Sequence, residues 1–142
     1  MDDSIHKVFE GSWTYRSFKN DIKQIDPKDP IENLLFGMGT IEIETSKPNI
    51  LQGRIYGPQW SLNLTGNITY GNPFTIDFQG KGIVGSEKWI YNYIGYLANS
   101  WSNGIDQTPT IIGSIVRTIP HSNSNGGTNP AGVVASWFAV KQ

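Results

Sequence analysis

Two arginines in this sequence sit where arginine is costly. Arg54 and Arg117 each fall inside an alternating run rather than at its end, and an arginine there must reach water or find a partner. Turned inward, its planar fork binds a carboxylate or an enolate. Tyr15, Tyr56, Tyr91 and Tyr93 bring apolar bodies with polar tips, and Trp60 and Trp89 complete the candidate ligand-binding set. Such residues suit a pocket for a small hydrophobic or aromatic molecule with a few polar atoms. Core packing and a subunit interface draw on the same residue types.

Other chemistries are poorly served. His6 and His121 lie far apart and there is no cysteine, whereas a tetrahedral metal site wants three or four ligands. No metal and no cofactor are expected. No Gly-x-Ser-x-Gly elbow offers a nucleophile,. Asp77 and Glu87 become acids or bases only if they point into an apolar cavity. Alternation puts Asp77 opposite Phe74, Ile76 and Phe78, on a solvated face. His121 begins an Asn/Gly/Ser loop, where it reads as exposed or, at a barrel mouth, as a gate or base near neutral pH.

The elements that must position these groups are strands. There is no long 3.6-residue apolar pattern, and 16 glycines and 8 prolines punctuate short alternating runs,. The runs fall at residues 8–19, 34–45, 49–57, 60–70, 74–81, 88–98, 109–119 and 131–141. A polar loop around Asp26-Pro27-Lys28-Asp29-Pro30 is long enough to be a lid,. Residues 120–130 read as a flexible loop. Eight runs joined mostly by short turns predict an all-β fold, an eight-stranded antiparallel up-and-down barrel over residues 1–142 as one domain. A β-sandwich is the alternative, but its crossovers usually want longer connections.

The stretch 88–101 holds five of the 17 aromatics. Trp89, Tyr91, Tyr93 and Leu97 share one face, and Ile90, Ile94, Tyr96 and Ala98 the other. We expect the Trp89/Tyr91/Tyr93 face to line the barrel and the other to meet another subunit. Charge distribution agrees: residues 1–32 carry twelve of the 23 charged side chains, and residues 89–142 only Asp106, Arg117 and Lys141. So uncharged a surface suggests a homo-oligomer. A net charge of −1 argues against nucleic acid. The lack of cysteine, of a signal-peptide core and of any apolar run of about 20 residues gives the expectation of a soluble, cytoplasmic protein without a membrane partner.

Gly11-Ser12-Trp13 opens the first strand. Gly-x-Trp in that place resembles the calycins, the group of lipocalins, fatty-acid-binding proteins and avidins, and length and strand rhythm are most similar to the avidin group. The resemblance implies a barrel with an internal ligand and a Trp13 that plugs its closed end. It also implies a late arginine packed across that ring, here Arg117 or Arg16, held by a cation–π contact of about 0.5–2 kcal/mol. The biotin-contact residues of avidins have no one-for-one match.

Three functions are compatible with this reading. One is binding of a small hydrophobic or aromatic molecule inside the barrel. The second is a cofactor-free cyclase or isomerase on the same scaffold, relying on proximity and a few hydrogen-bond donors. The third is a structural or interaction barrel filled by its own side chains. The volume left inside discriminates among them.

Overall fold

The computed structural model describes residues 7–22, 26–123 and 125–142; His6 lies outside these. Ten strands follow in chain order: β1 (Gly11–Lys19), β2 (Leu35–Lys47), β3 (Ile50–Gly57), β4 (Trp60–Thr69), β5 (Thr75–Val84), β6 (Glu87–Leu97), β7 (Thr110–Arg117), β8 (His121–Ser122), β9 (Thr128–Asn129) and β10 (Val134–Lys141). Eight of them close into a barrel in the order β1-β10-β7-β6-β5-β4-β3-β2, every pair antiparallel. This is the expected all-β barrel and not the sandwich. It is compatible with a calycin-like fold. Closure comes from β10 pairing β1, which leaves no open edge,.

One part of the loop at 120–130 is more ordered than its composition predicts. β8 and β9 form a two-stranded ladder, His121 opposite Asn129 and Ser122 opposite Thr128. Asn123 makes the turn, its Oδ1 accepting the N–H groups of Asn125 at 2.9 Å and Gly127 at 3.0 Å. An Asn side chain that replaces backbone acceptors in this way stabilises a tight turn. In the long connection before β2, one 3-10 turn spans Ile31–Leu34. No helix among the described residues is long and apolar enough to cross a membrane.

Alternation decides which side chains face in. Trp13, Tyr15 and Ser17 on β1, Ile41 and Ile43 on β2, Leu51 and Ile55 on β3, and Leu62, Leu64 and Ile68 on β4 are all buried. Ile76 and Phe78 on β5, Tyr91 and Tyr93 on β6, Ile111 and Ile115 on β7, and Ala135, Trp137 and Ala139 on β10 complete the interior. At about 1.5–3 kcal/mol for each large side chain removed from water, this alternating set is the main source of stability.

The two ends differ. At the end where β1 begins, Trp13 is fully buried and its Nε1 donates to the Phe9 carbonyl at 2.8 Å. The cation over its ring is Lys141, 5.5 Å from the centroid, which the β1–β10 register places opposite Trp13. The Nζ of Lys141 also donates to the Val8 carbonyl at 3.2 Å. Neither Arg117 nor Arg16 takes the role that the resemblance implies. Arg117 ends β7, at the far end of the barrel from the start of β1, and Arg16 is exposed.

Aromatics also fill the middle. Phe78 and Tyr93 stack at 4.6 Å, with Trp137 edge-on to both at 5.9 and 6.0 Å. The Nε1 of Trp137 donates to the Ser114 carbonyl at 3.0 Å and the Ile94 carbonyl at 3.2 Å. Gly95 makes room for this indole: a Cβ there would lie 2.8 Å from a Trp137 ring carbon. The packed floor leaves space only toward the other end.

Candidate functional site

At the end where β1, β3, β5 and β7 finish, the interior opens into a cavity of about 190 Å³. Its walls come from Tyr15 (β1), Phe36 and Gly37 (β2), Trp60 and Leu62 (β4), Trp89, Tyr91 and Tyr93 (β6) and Ile115 (β7), with Met38 at the edge. Gly37 keeps the β2 wall thin, since a Cβ there would press on Ser17 Oγ at 3.3 Å and the Tyr15 ring at 3.5 Å.

Five of the eight residues picked out in the sequence therefore share one cavity: Tyr15, Trp60, Trp89, Tyr91 and Tyr93. The β6 face carrying Trp89, Tyr91 and Tyr93 points inward, while Ile94 and Tyr96 are exposed. Arg117 is 8% exposed and reaches the same group: its Nε donates to the Tyr91 hydroxyl at 3.1 Å. Its guanidinium carbon lies 5.0 Å from the centre of the Phe36 ring.

Arg54 and Tyr56 are not part of this assembly. Both point out of the barrel, because Leu51 and Ile55 take the inward phase of β3. Arg54 pairs with Glu42 at 3.1 Å across the β2–β3 register, and the Tyr56 hydroxyl donates to the same carboxylate at 2.8 Å. These hydrogen bonds, from Arg54 first and then Tyr56, hold the Glu42 carboxyl below its usual range. Asp77 is exposed, as expected.

The structure corrects the reading of His121 as an exposed loop residue. His121 is 4% exposed, stacked on Trp89 at 4.0 Å, with its Nε2 2.7 Å from the Tyr91 hydroxyl. Its Nδ1 lies 3.1 Å from the Ser122 carbonyl. Since a carbonyl only accepts, Nδ1 carries hydrogen and, in neutral imidazole, Nε2 accepts from Tyr91. Glu87 anchors the ladder beside it, accepting from the Ser122 N–H at 2.9 Å and hydroxyl at 3.0 Å. Phe36, Gly37, Leu62 and Ile115 were legible as strand residues but not as cavity wall, and Ser17 as neither acceptor nor donor to the site.

The polar atoms are of two kinds. Some are paired: the Tyr15 hydroxyl donates to Ser17 Oγ at 2.7 Å, and Ser17 in turn lies 3.4 Å from the Gly37 carbonyl. Others are not. Among the described residues, neither the buried Trp89 Nε1 nor the Tyr93 hydroxyl has a partner. Burial pushes the Tyr93 hydroxyl well above the ordinary tyrosine value, with Tyr15 and Tyr91 adding to it. Burial also raises Tyr15, opposed by the Ser17 hydrogen bond. It raises Tyr91 too, against the hydrogen bond and charge of Arg117. All three are neutral phenols near neutral pH.

The described residues contain no group of three or more His, Cys, Asp or Glu side chains able to hold a metal ion. What the arrangement offers is a ring-sized apolar space with hydroxyl and indole groups at its wall, and an imidazole and a buried guanidinium bonded to Tyr91 behind that wall. Compared with known proteins, the chain matches no family model, no curated sequence and no solved structure.

Proposed function

We propose that the barrel binds a small hydrophobic or aromatic molecule in the cavity at its open end. The observation that carries this reading is the contrast inside one barrel. Toward the closed end the interior is filled by Phe9, Trp13 and the aliphatic side chains of the strands, with Phe78 and Trp137 above them, while about 190 Å³ stays open between Tyr15, Trp60, Trp89, Tyr91 and Tyr93. A cavity of about 150 Å³ holds benzene, so the occupant is of single-ring size, smaller than a drug-like ligand. The barrel is read as calycin-like on its strand count, its up-and-down order and Gly11-Ser12-Trp13 at the closed end. The cytoplasmic setting remains the one its composition suggests.

A second reading is favoured by one specific feature. The Tyr91 hydroxyl lies between Arg117 Nε and His121 Nε2, an arrangement able to pass a proton, so a cofactor-free isomerase or cyclase is the enzyme alternative. A purely structural barrel has less in its favour, because the mouth is not filled.

A second copy of the chain is the proposed partner of the outer face. Ile94, Tyr96, Ile112, Val134 and Phe138 are all exposed, and the register sets Tyr96 beside Ile112 and Ile112 beside Phe138. Native mass spectrometry of protein from its own source tests both points. The expected result is an oligomer retaining a small organic molecule; a bare monomer contradicts them.

A further inference from the structure

Among the described residues, Arg117 is a buried cation without a counter-ion. Among the described residues the one ion pair is Arg54–Glu42, on the outer face. Arg117 meets only neutral acceptors, the Tyr91 hydroxyl through Nε and the Pro130 carbonyl through one terminal nitrogen at 3.1 Å. Its other terminal nitrogen has no partner among the described residues. Charge held this way is costly unless something anionic arrives.

The hydrogen-bond directions say what must change when it does. With neutral His121, the Tyr91 hydrogen is committed to Nε2 and one oxygen lone pair is taken by Arg117. What remains for the cavity is a lone pair, which repels an anion. Protonated His121 becomes a donor at Nε2. Tyr91 then accepts from both His121 and Arg117, and its own O–H turns free to serve the ligand. Two cations on one phenol oxygen are stable only beside a negative charge.

We infer that the mouth takes a single-ring aromatic acid as its carboxylate, and that one proton is taken up from solvent onto His121 as it binds. This rests on the cavity being a ligand site. The ring fills the apolar space, and the carboxylate accepts from the Tyr91 hydroxyl and the free edge of Arg117. The titratable groups around His121 are Tyr91 and Glu87 from β6 and, through Tyr91, Arg117 from β7. The facing strand β9 brings only Thr128 and Asn129. Glu87 is bonded to Ser122, next in the chain.

The test uses benzoate and the neutral benzyl alcohol as probes on the full chain, followed by the shifts of the Leu62 and Ile115 methyl signals. Over about pH 5.5 to 8 benzoate stays ionised, so any pH dependence belongs to the protein. Proton uptake makes affinity rise as pH falls, by up to about tenfold per pH unit. Benzoate should show this slope and benzyl alcohol almost none. In Tyr91→Phe, which keeps the ring, benzoate should lose affinity and slope together. Benzyl alcohol binding alone, or benzoate binding at one affinity across the range, overturns the inference and leaves the ligand site standing. If neither probe moves the methyl signals, the proposed function falls and the inference with it.

Discussion

Tyr91 and Arg117 are directly opposite across the β6–β7 ladder, and the Arg117 guanidinium donates to the Tyr91 hydroxyl at 3.1 Å. This pair separates the two arginines that the sequence offers as equals. Arg117 is in phase with Ile111 and Ile115 and is drawn inside; Arg54 is out of phase with Leu51 and Ile55 and stays outside.

If Arg117 serves a ligand rather than the fold, replacing it should be cheap in stability. A buried ion exchanged for an apolar residue of similar length is often neutral or better, whereas stripping the partner from a structural buried pair costs about 3–5 kcal/mol. Arg117→Met should therefore unfold in urea within about 2 kcal/mol of the parent chain, while benzoate binding is lost.

Arg54→Ala should leave cavity binding untouched. Its visible effect should be local: the Glu42 carboxyl, now held down first by Arg54, should titrate at higher pH in a carboxyl-detected NMR titration. Loss of ligand binding in this variant would place the site on the outer face.

Alkaline pH should weaken the fold with a definite sign. Burial raises the hydroxyls of Tyr15, Tyr91 and Tyr93 above the ordinary tyrosine value of about 10,. Below about pH 10 both folded and unfolded chains hold these protons, and their stability contribution is complete. Above it the unfolded chain releases protons that the folded chain keeps. Stability should then fall by up to about 1.4 kcal/mol per pH unit for each tyrosine. Tyr93→Phe should make that decline shallower in denaturant melts at pH 10–11.

Gly95→Ala tests the packed floor. The added carbon meets Trp137 at 2.8 Å and Ile111 at 2.9 Å, and Trp137 is fixed by its two carbonyl acceptors. The cost should be about 1–3 kcal/mol, read as a lower urea midpoint.

Phe138→Glu tests the outer face, where Phe138 stacks on Phe18 at 6.0 Å and is 37% exposed. Light scattering behind size exclusion should show the parent as an oligomer and the variant as a smaller species. A parent chain that is already monomeric contradicts the charge argument.

The period of two made most of the fold readable. Strand edges agree within three residues, and Tyr91 and Tyr93 point where the aromatic stretch 88–101 suggests, because side-chain direction in a strand is a local property. What escaped depends on partners distant in sequence. His121 is buried only because the β8–β9 ladder folds over Trp89, 32 positions earlier in the chain. Lys141 covers Trp13 only because the last strand pairs with the first in one particular register. Phe36 becomes a wall only when the closed barrel brings Tyr91 edge-on to its ring at 6.2 Å. None of these is written in composition or spacing.

The central claim is that the open end holds a ring-sized ligand, and its location is directly measurable. In methyl-labelled protein, intermolecular NOEs from benzyl alcohol should reach Leu62 and Ile115, which line the cavity, and not Ile112, which lies on the outer face. NOEs confined to Ile112, or none at all, would contradict the account.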